Sequence, residues 1–332
     1  MKYKLITASV AALVATVAWA TIVAVNGNSR NFTTLFGAAG IAGAYPSCAK
    51  SSSGGVTTIT PPLPGENCNI QPDAQTISIY RLALCTSKPG APTTAAVSSI
   101  SACQFIYTST NTTGSPVSIV LDATVALPAA DIVKPTNNTY THLYVEIDPE
   151  VKIKSQVKFS AAMGDSNGLS SGVYCWSKLA TSYNFGMNTA GSMPQATACS
   201  PSAPLAADVG TTSSLYNSMM DDSGLSGGTG FTNAFINLPT TAGGAATLDA
   251  YLVGADSKLV ATQTVNTIGT VKRIVGIMTL PGAGVTVTAG TSSFVLGFNN
   301  TLGAQVSTQS GSSPSRVSKF GNGPFDMTVT VN

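Results

Sequence analysis

Charge is the scarcest ingredient of this 332-residue sequence. Lys and Arg number 16 and Asp and Glu 14, so charged residues make up 9% of the chain, against roughly 25% in an average soluble protein. The net charge of +2 argues against a nucleic-acid partner, because phosphate backbones need clustered Lys and Arg. Histidine occurs once, as His142. A Ser-His-Asp triad would have to use it, and no G-x-S-x-G elbow accompanies it. A His-based metal site would need a second ligand cluster, which is missing. None of the six cysteines has C-x-x-C spacing, which removes zinc-ribbon and thioredoxin readings. Also absent after residue 45 is the Glu, Lys, Arg and Gln dressing that covers helical surfaces, where straight side chains lose little rotamer freedom. With no recognisable set of catalytic residues, the expectation is a protein that is not an enzyme.

What fills the space is Thr, Ser, Asn, Gly and Ala around a 43% hydrophobic content. Thr and Val favour extended chain. Strand signals begin at Thr76–Leu84 and continue through Cys103–Thr108 and Val117–Val125. The clearest alternation runs through Thr141–Ile147 and Val151–Phe159. There Val151, Ile153, Val157 and Phe159 share one face, and Lys152, Lys154, Gln156 and Lys158 the other; period 2 marks a strand with one wet side. Val173–Trp176 is a further strand, and after residue 230 come seven hairpin candidates with turns such as Gly254–Ser257 and Pro281–Gly284. Short strands at regular spacing predict an all-β protein, an antiparallel β-sandwich of jelly-roll or Ig-like type. It occupies residues 73–332, with a split into two sandwiches near 205–230 as the alternative. Residues 45–72, rich in Pro, Ser and Gly, are expected to form a linker or an arm laid across a surface.

The N-terminus reads as a secretory signal over residues 1–20. Lys2 and Lys4 precede an apolar run that ends in Ala18-Trp19-Ala20, the small-x-small pattern of a cleavage site. Cleavage after Ala44, or a retained anchor over 5–25, are alternatives. Residues 21–72 would then be an N-terminal arm or linker. Its first residues, Thr21, Ile22, Val23, Ala24 and Val25, are β-branched and apolar and would be free to add to an exposed sheet edge. A weakly charged surface repels its own copies weakly, which favours association, although it also suits a plain exported surface.

Cys48, Cys68, Cys85, Cys103, Cys175 and Cys199 are even in number and suit disulfides in an oxidising compartment. Sequential pairing is expected, Cys48–Cys68, Cys85–Cys103 and Cys175–Cys199, each closing a loop. Calcium is the most plausible ion, through oxygen ligands on two turns, Asp165 with Asn167, and Asp221 with Asp222; a plain turn is the alternative. Glu146, Asp148 and Glu150 stand two apart and would share a strand face, as a catalytic carboxylate pair or a solvated edge. The Lys152, Lys154 and Lys158 row would dock an anionic polymer or guard an edge strand, the latter preferred. His142 reads as an ordinary packed or surface side chain.

The segment Thr139–Asp148 (TYTHLYVEID) resembles one found in uncharacterised exported β-sandwich proteins of bacteria, in which a Y-T-x-[LIM]-x-[VL] strand follows a short polar loop. The resemblance implies export and a β-sandwich, and no activity. The low-charge make-up is similar to that of extracellular filament subunits. Together these give the expectation of an extracellular or cell-surface structural protein, a homopolymer joined by strand addition. The alternative is a monomeric secreted module that binds glycan or calcium.

Overall fold

The computed structural model describes residues 20–24, 47–53, 56–62, 67–120, 124–128, 131–178, 180–183, 197–215, 234–239, 247–261, 270–299, 303–309, 313–322 and 326–332. The signal at 1–19, Val25 and the Asp221–Asp222 turn lie outside the described residues. Among the described residues the protein is all-β, with no α-helix.

In chain order the strands are β1 (Ala20–Ala24), β2 (Lys50–Ser53), β3 (Val56–Ile59), β4 (Asn67–Ile70), β5 (Ala74–Cys85), β6 (Cys103–Thr108), β7 (Ser115–Ile119) and β8 (Thr124–Ala126). There follow β9 (Asn138–Tyr140), β10 (His142–Ile147), β11 (Glu150–Lys154), β12 (Gln156–Gly164), β13 (Ser171–Ser177), β14 (Ala180–Tyr183), β15 (Thr197–Ser200) and β16 (Thr212–Leu215). The last are β17 (Ala234–Pro239), β18 (Thr247–Val253), β19 (Arg273–Thr279), β20 (Val285–Val287), β21 (Phe294–Asn299), β22 (Ala304–Gln309), β23 (Arg316–Asn322) and β24 (Asp326–Val331).

The largest sheet has the order β14-β16-β11-β5-β10-β19-β18-β17. Its spine is β5, whose Ile77, Ile79, Leu82 and Leu84 point into the main core, alternating with other residues except across one bulge at Tyr80. One edge of β5 pairs with β7 and then β6, the other with β11 and then β10. A second sheet runs β15-β13-β12-β23-β22-β4, with β2 and β3 joined to β12. A third has the order β24-β21-β1-β8, and β20 with β9 forms a separate ribbon. One continuous apolar cluster lies among these sheets: Ile79, Leu82, Leu143 and Val151 come from the first, Phe159, Val306 and Phe320 from the second, Phe294 and Leu296 from the third. Several sheets facing a shared core are the layout of a sandwich. A smaller cluster on the opposite face of the first sheet holds Ala83, Tyr144, Tyr251, Val275 and Ile277.

All six cysteines are paired, Cys48–Cys68, Cys85–Cys103 and Cys175–Cys199. Two of the bridges join residues directly opposite on neighbouring antiparallel strands, Cys85 with Cys103 and Cys175 with Cys199. The third fastens Cys48 beside β4, where the Cys48 N–H also donates to the Asn69 carbonyl.

Three expectations change. The segment 45–72 is not merely a surface linker: β4 pairs with β22, and Cys48, Ile59, Cys68 and Ile70 are buried in the main core. Val151–Phe159 is not one strand. It turns a corner at Ser155, leaving β11 in the first sheet and β12 in the second. The corner is clamped by Ser177, whose hydroxyl accepts the Ser155 N–H at 3.0 Å and donates to the Gly210 carbonyl at 2.7 Å. Alternation survives the corner, since Val151, Ile153, Val157 and Phe159 are all buried. Finally, Lys152 and Lys154 guard no edge. They stand on β11, which is flanked by β16 and β5, and Lys158 on β12 lies over the Tyr174 ring at 5.3 Å.

Candidate functional site

The segment singled out as an assembly arm forms a strand inside the third sheet. β1 runs parallel to β21, with Ala20 opposite Phe294, Ile22 opposite Leu296 and Ala24 opposite Phe298. On its other side it is antiparallel to β8, with Thr21 opposite Ala126 and Val23 opposite Thr124. The partners of β1 on the β21 side belong to the core, Phe294 and Leu296 being fully buried.

No hairpin ties β1 in place. The next described strand along the chain, β2, lies in a different sheet, and both partners of β1 are remote in sequence. A parallel pair cannot be made by a tight turn at all. β1 is therefore an inserted element, held by main-chain hydrogen bonds to chain that is made much later. Its removal would have two consequences. β21 would keep β24 and open its other edge, and β8 would lose its only strand partner among the described residues. Rows of unpaired N–H and C=O groups would then face each other across a gap one strand wide, which is a template for another extended chain.

The other candidate residues do not gather around this gap. Asp165 is fully buried, and its carboxylate accepts the N–H groups of Asn167, Leu169 and Ser170 and the Ser170 hydroxyl at 2.7–3.1 Å. Its oxygens thus build their own turn, while Asn167 is exposed. Among the described residues no three His, Cys, Asp or Glu side chains converge at metal-binding distance. His142 sits at the start of β10 with Nδ1 at 2.8 Å from the Thr141 hydroxyl. Burial, and then the Lys88 charge, push its pKa below the usual value of 6.5.

The acidic trio also separates. Glu146 is buried between the Tyr144 hydroxyl, which donates to it at 2.6 Å, and Arg81 at 3.2 Å. Asp148 accepts the Tyr80 hydroxyl at 2.8 Å and the Glu150 N–H at 2.7 Å. Burial and the Asp148 carboxylate raise the Tyr80 pKa to about 12. Burial and the nearby carboxylates raise those of Tyr144 and Tyr251 as well.

No protein-family model, curated protein or solved structure matches the chain.

Proposed function

We propose that the protein is a structural subunit of an extracellular filament or surface layer, a β-sandwich of jelly-roll or Ig-like type that polymerises by strand addition. The observation that carries this reading is the position of β1, between two strands that do not otherwise pair. In the polymer, Thr21–Val25 of one subunit fills the gap between β8 and β21 of the next. The same main-chain bonds form within one chain or between two, so exchange costs little beyond the ordering of the connecting segment. A chain as long as residues 25–46 can reach at most roughly 70 Å at ~3.3 Å per residue. That exceeds the roughly 40 Å across twice the radius of gyration of a compact domain of this size.

The compartment supports the same reading. Three disulfides fit an oxidising environment, and a thin charge layer of 9% leaves little repulsion between copies. Cleavage after Ala20 would release the arm with a free end.

Sizing the exported protein, with N-terminal mass analysis and electron microscopy, tests the proposal. Polymers are expected from a mature chain that retains residues 21–25. A chain lacking residues 20–24 should be monomeric and should take up a synthetic peptide of that sequence. A mature chain beginning after Ala44, or filaments undiminished by the deletion, would overturn the strand-addition mechanism.

A further inference from the structure

On the face of the first sheet opposite the main core, a cavity of about 330 Å³ is lined by Arg81, Glu146, Lys272 and Arg273 and by the turn Gly254, Ala255 and Ser257. We propose that this cavity is an oxyanion site that takes one acidic sugar unit of a polysaccharide.

The argument begins with a bulge. Opposite β10, Glu146 pairs with Arg81 and Ile147 with Ile79, so Tyr80 is an extra residue in β5. Simple alternation would send Tyr80 and Arg81 to opposite faces. The bulge brings them to the same one, as bulges commonly do beside binding sites. Arg81, Glu146 and Val275 are in register across three strands, and Arg273, two residues before Val275, shares their face. Two guanidinium groups from strands 192 positions apart (273 − 81) thereby line one cavity.

Both are held in advance. The Arg273 guanidinium lies over the Tyr80 ring, its Cζ 3.4 Å from the ring centre, and Asp148 fixes that ring through the phenol. Arg81 lies over Phe105 at 5.7 Å, and its Nε is held by Glu146. Arg273 Nη1 donates to the Lys272 carbonyl at 2.7 Å, which fixes the group further; stacking and these bonds leave other N–H groups of the two guanidiniums to recognise an oxyanion. At the rim, Ser257 adopts φ 58°, a left-handed conformation that is uncommon without glycine and that clusters at ligand-binding turns.

The charges do not cancel. The lining carries three cations, Arg81, Lys272 and Arg273, and one carboxylate, Glu146, which is paired with Arg81. Asp148 keeps its charge behind the Tyr80 ring and offsets part of Arg273, and Asp256 stands nearest Lys258 at 3.8 Å. A net positive charge remains to attract an anion into a concave site. The volume is at the lower end for small-molecule pockets and far larger than a lone ion fills, which matches a sugar ring that carries a carboxylate or sulfate.

Calorimetry at low salt on the folded, disulfide-intact protein tests this, with a polyuronate oligosaccharide, a sulfated oligosaccharide, a neutral oligosaccharide, sodium sulfate and a hexaglutamate peptide as probes. Saturable binding of at least one acidic oligosaccharide is expected, weakened roughly tenfold or more in K272Q/R273Q, as the loss of charge-assisted hydrogen bonds requires. Lys272→Gln alone, at an exposed position, should leave the melting temperature unchanged and still weaken binding. The proposal is overturned by binding of none of the acidic sugars, by undiminished binding in the double variant, by equal binding of the neutral sugar or the peptide, or by binding of sulfate alone.

Discussion

The β13–β15 pair bridged by Cys175–Cys199 and the sheet that contains β1 are held together in opposite ways. In the β13–β15 pair the holding is covalent and close. Cys175 and Cys199 oppose each other with Cα atoms 4.1 Å apart. The backbones of β13 and β15 approach so nearly that a Cβ added at Gly172 would lie 1.9 Å from the Ser200 carbonyl carbon, so only glycine fits there. In the β1 sheet no covalent bond intervenes, and register alone sets which residues meet. The contrast is between a strand pair locked by a covalent bond and a strand that joins its sheet through main-chain pairing.

The largest expected effect breaks the second region. Leu296→Ala removes a fully buried side chain from the strand that β1 pairs with. It should cost about 2–5 kcal/mol in chemical denaturation and should shorten or abolish polymers. Wild-type stability with normal polymers would refute the link between β21 and assembly.

Breaking the first region comes next. Cys175 and Cys199 replaced together by Ser should lower stability by roughly 2–4 kcal/mol, while the variant that still folds polymerises as before. A selective loss of polymers at preserved stability would show that the β13–β15 pair, not the inserted strand, makes the contact between subunits.

The smallest effect concerns pH. His142 stands opposite Cys85 in register and faces Lys88 and Asp249. Its folded pKa is lowered from 6.5 by burial first and by Lys88 second, with Asp249 opposing. The unfolded chain therefore binds the proton more readily. The stability contributed by the neutral ring is present above pH 6.5 and is lost as pH falls from there through the folded value. His142→Gln should flatten the fall in melting temperature between pH 7.5 and 5; an unchanged slope would assign the pH dependence to other groups.

Several strands were legible in the residue pattern itself. Cys103–Thr108 and Thr247–Val253 carry their bounds in the residue pattern, and Val151–Phe159 keeps its alternation even through the corner at Ser155. β22 and β23 were not legible, for a physical reason. β22 lies between β23 and β4 with both faces covered, so Gln305, Ser307 and Thr308 are buried beside Ala304 and Val306; Lys319 of β23 is buried too. The alternation of Ala304 and Val306 with Gln305 and Ser307 lasts only four residues before the register shifts opposite β23, too short a run to read as a strand. The oxyanion cavity was invisible for another reason. Glu146 stood out only as one of three acids, and Arg81 and Arg273 have nothing in common along the chain.

By itself the sequence determined the strand-forming character of the chain and the alternation that gives most strands a buried side, because both are set by residue type and by neighbours two positions away. The even number of cysteines pointed to disulfides, while six of them allow fifteen pairings, and only the fold chose the sequential one. Only the tertiary structure decided that Ser155 is a corner between sheets, that β1 lies between β21 and β8, and that Tyr80 and Arg81 share a face. These depend on register between segments far apart in the chain and on one extra residue in a ladder, and neither leaves a periodic mark in the order of the amino acids.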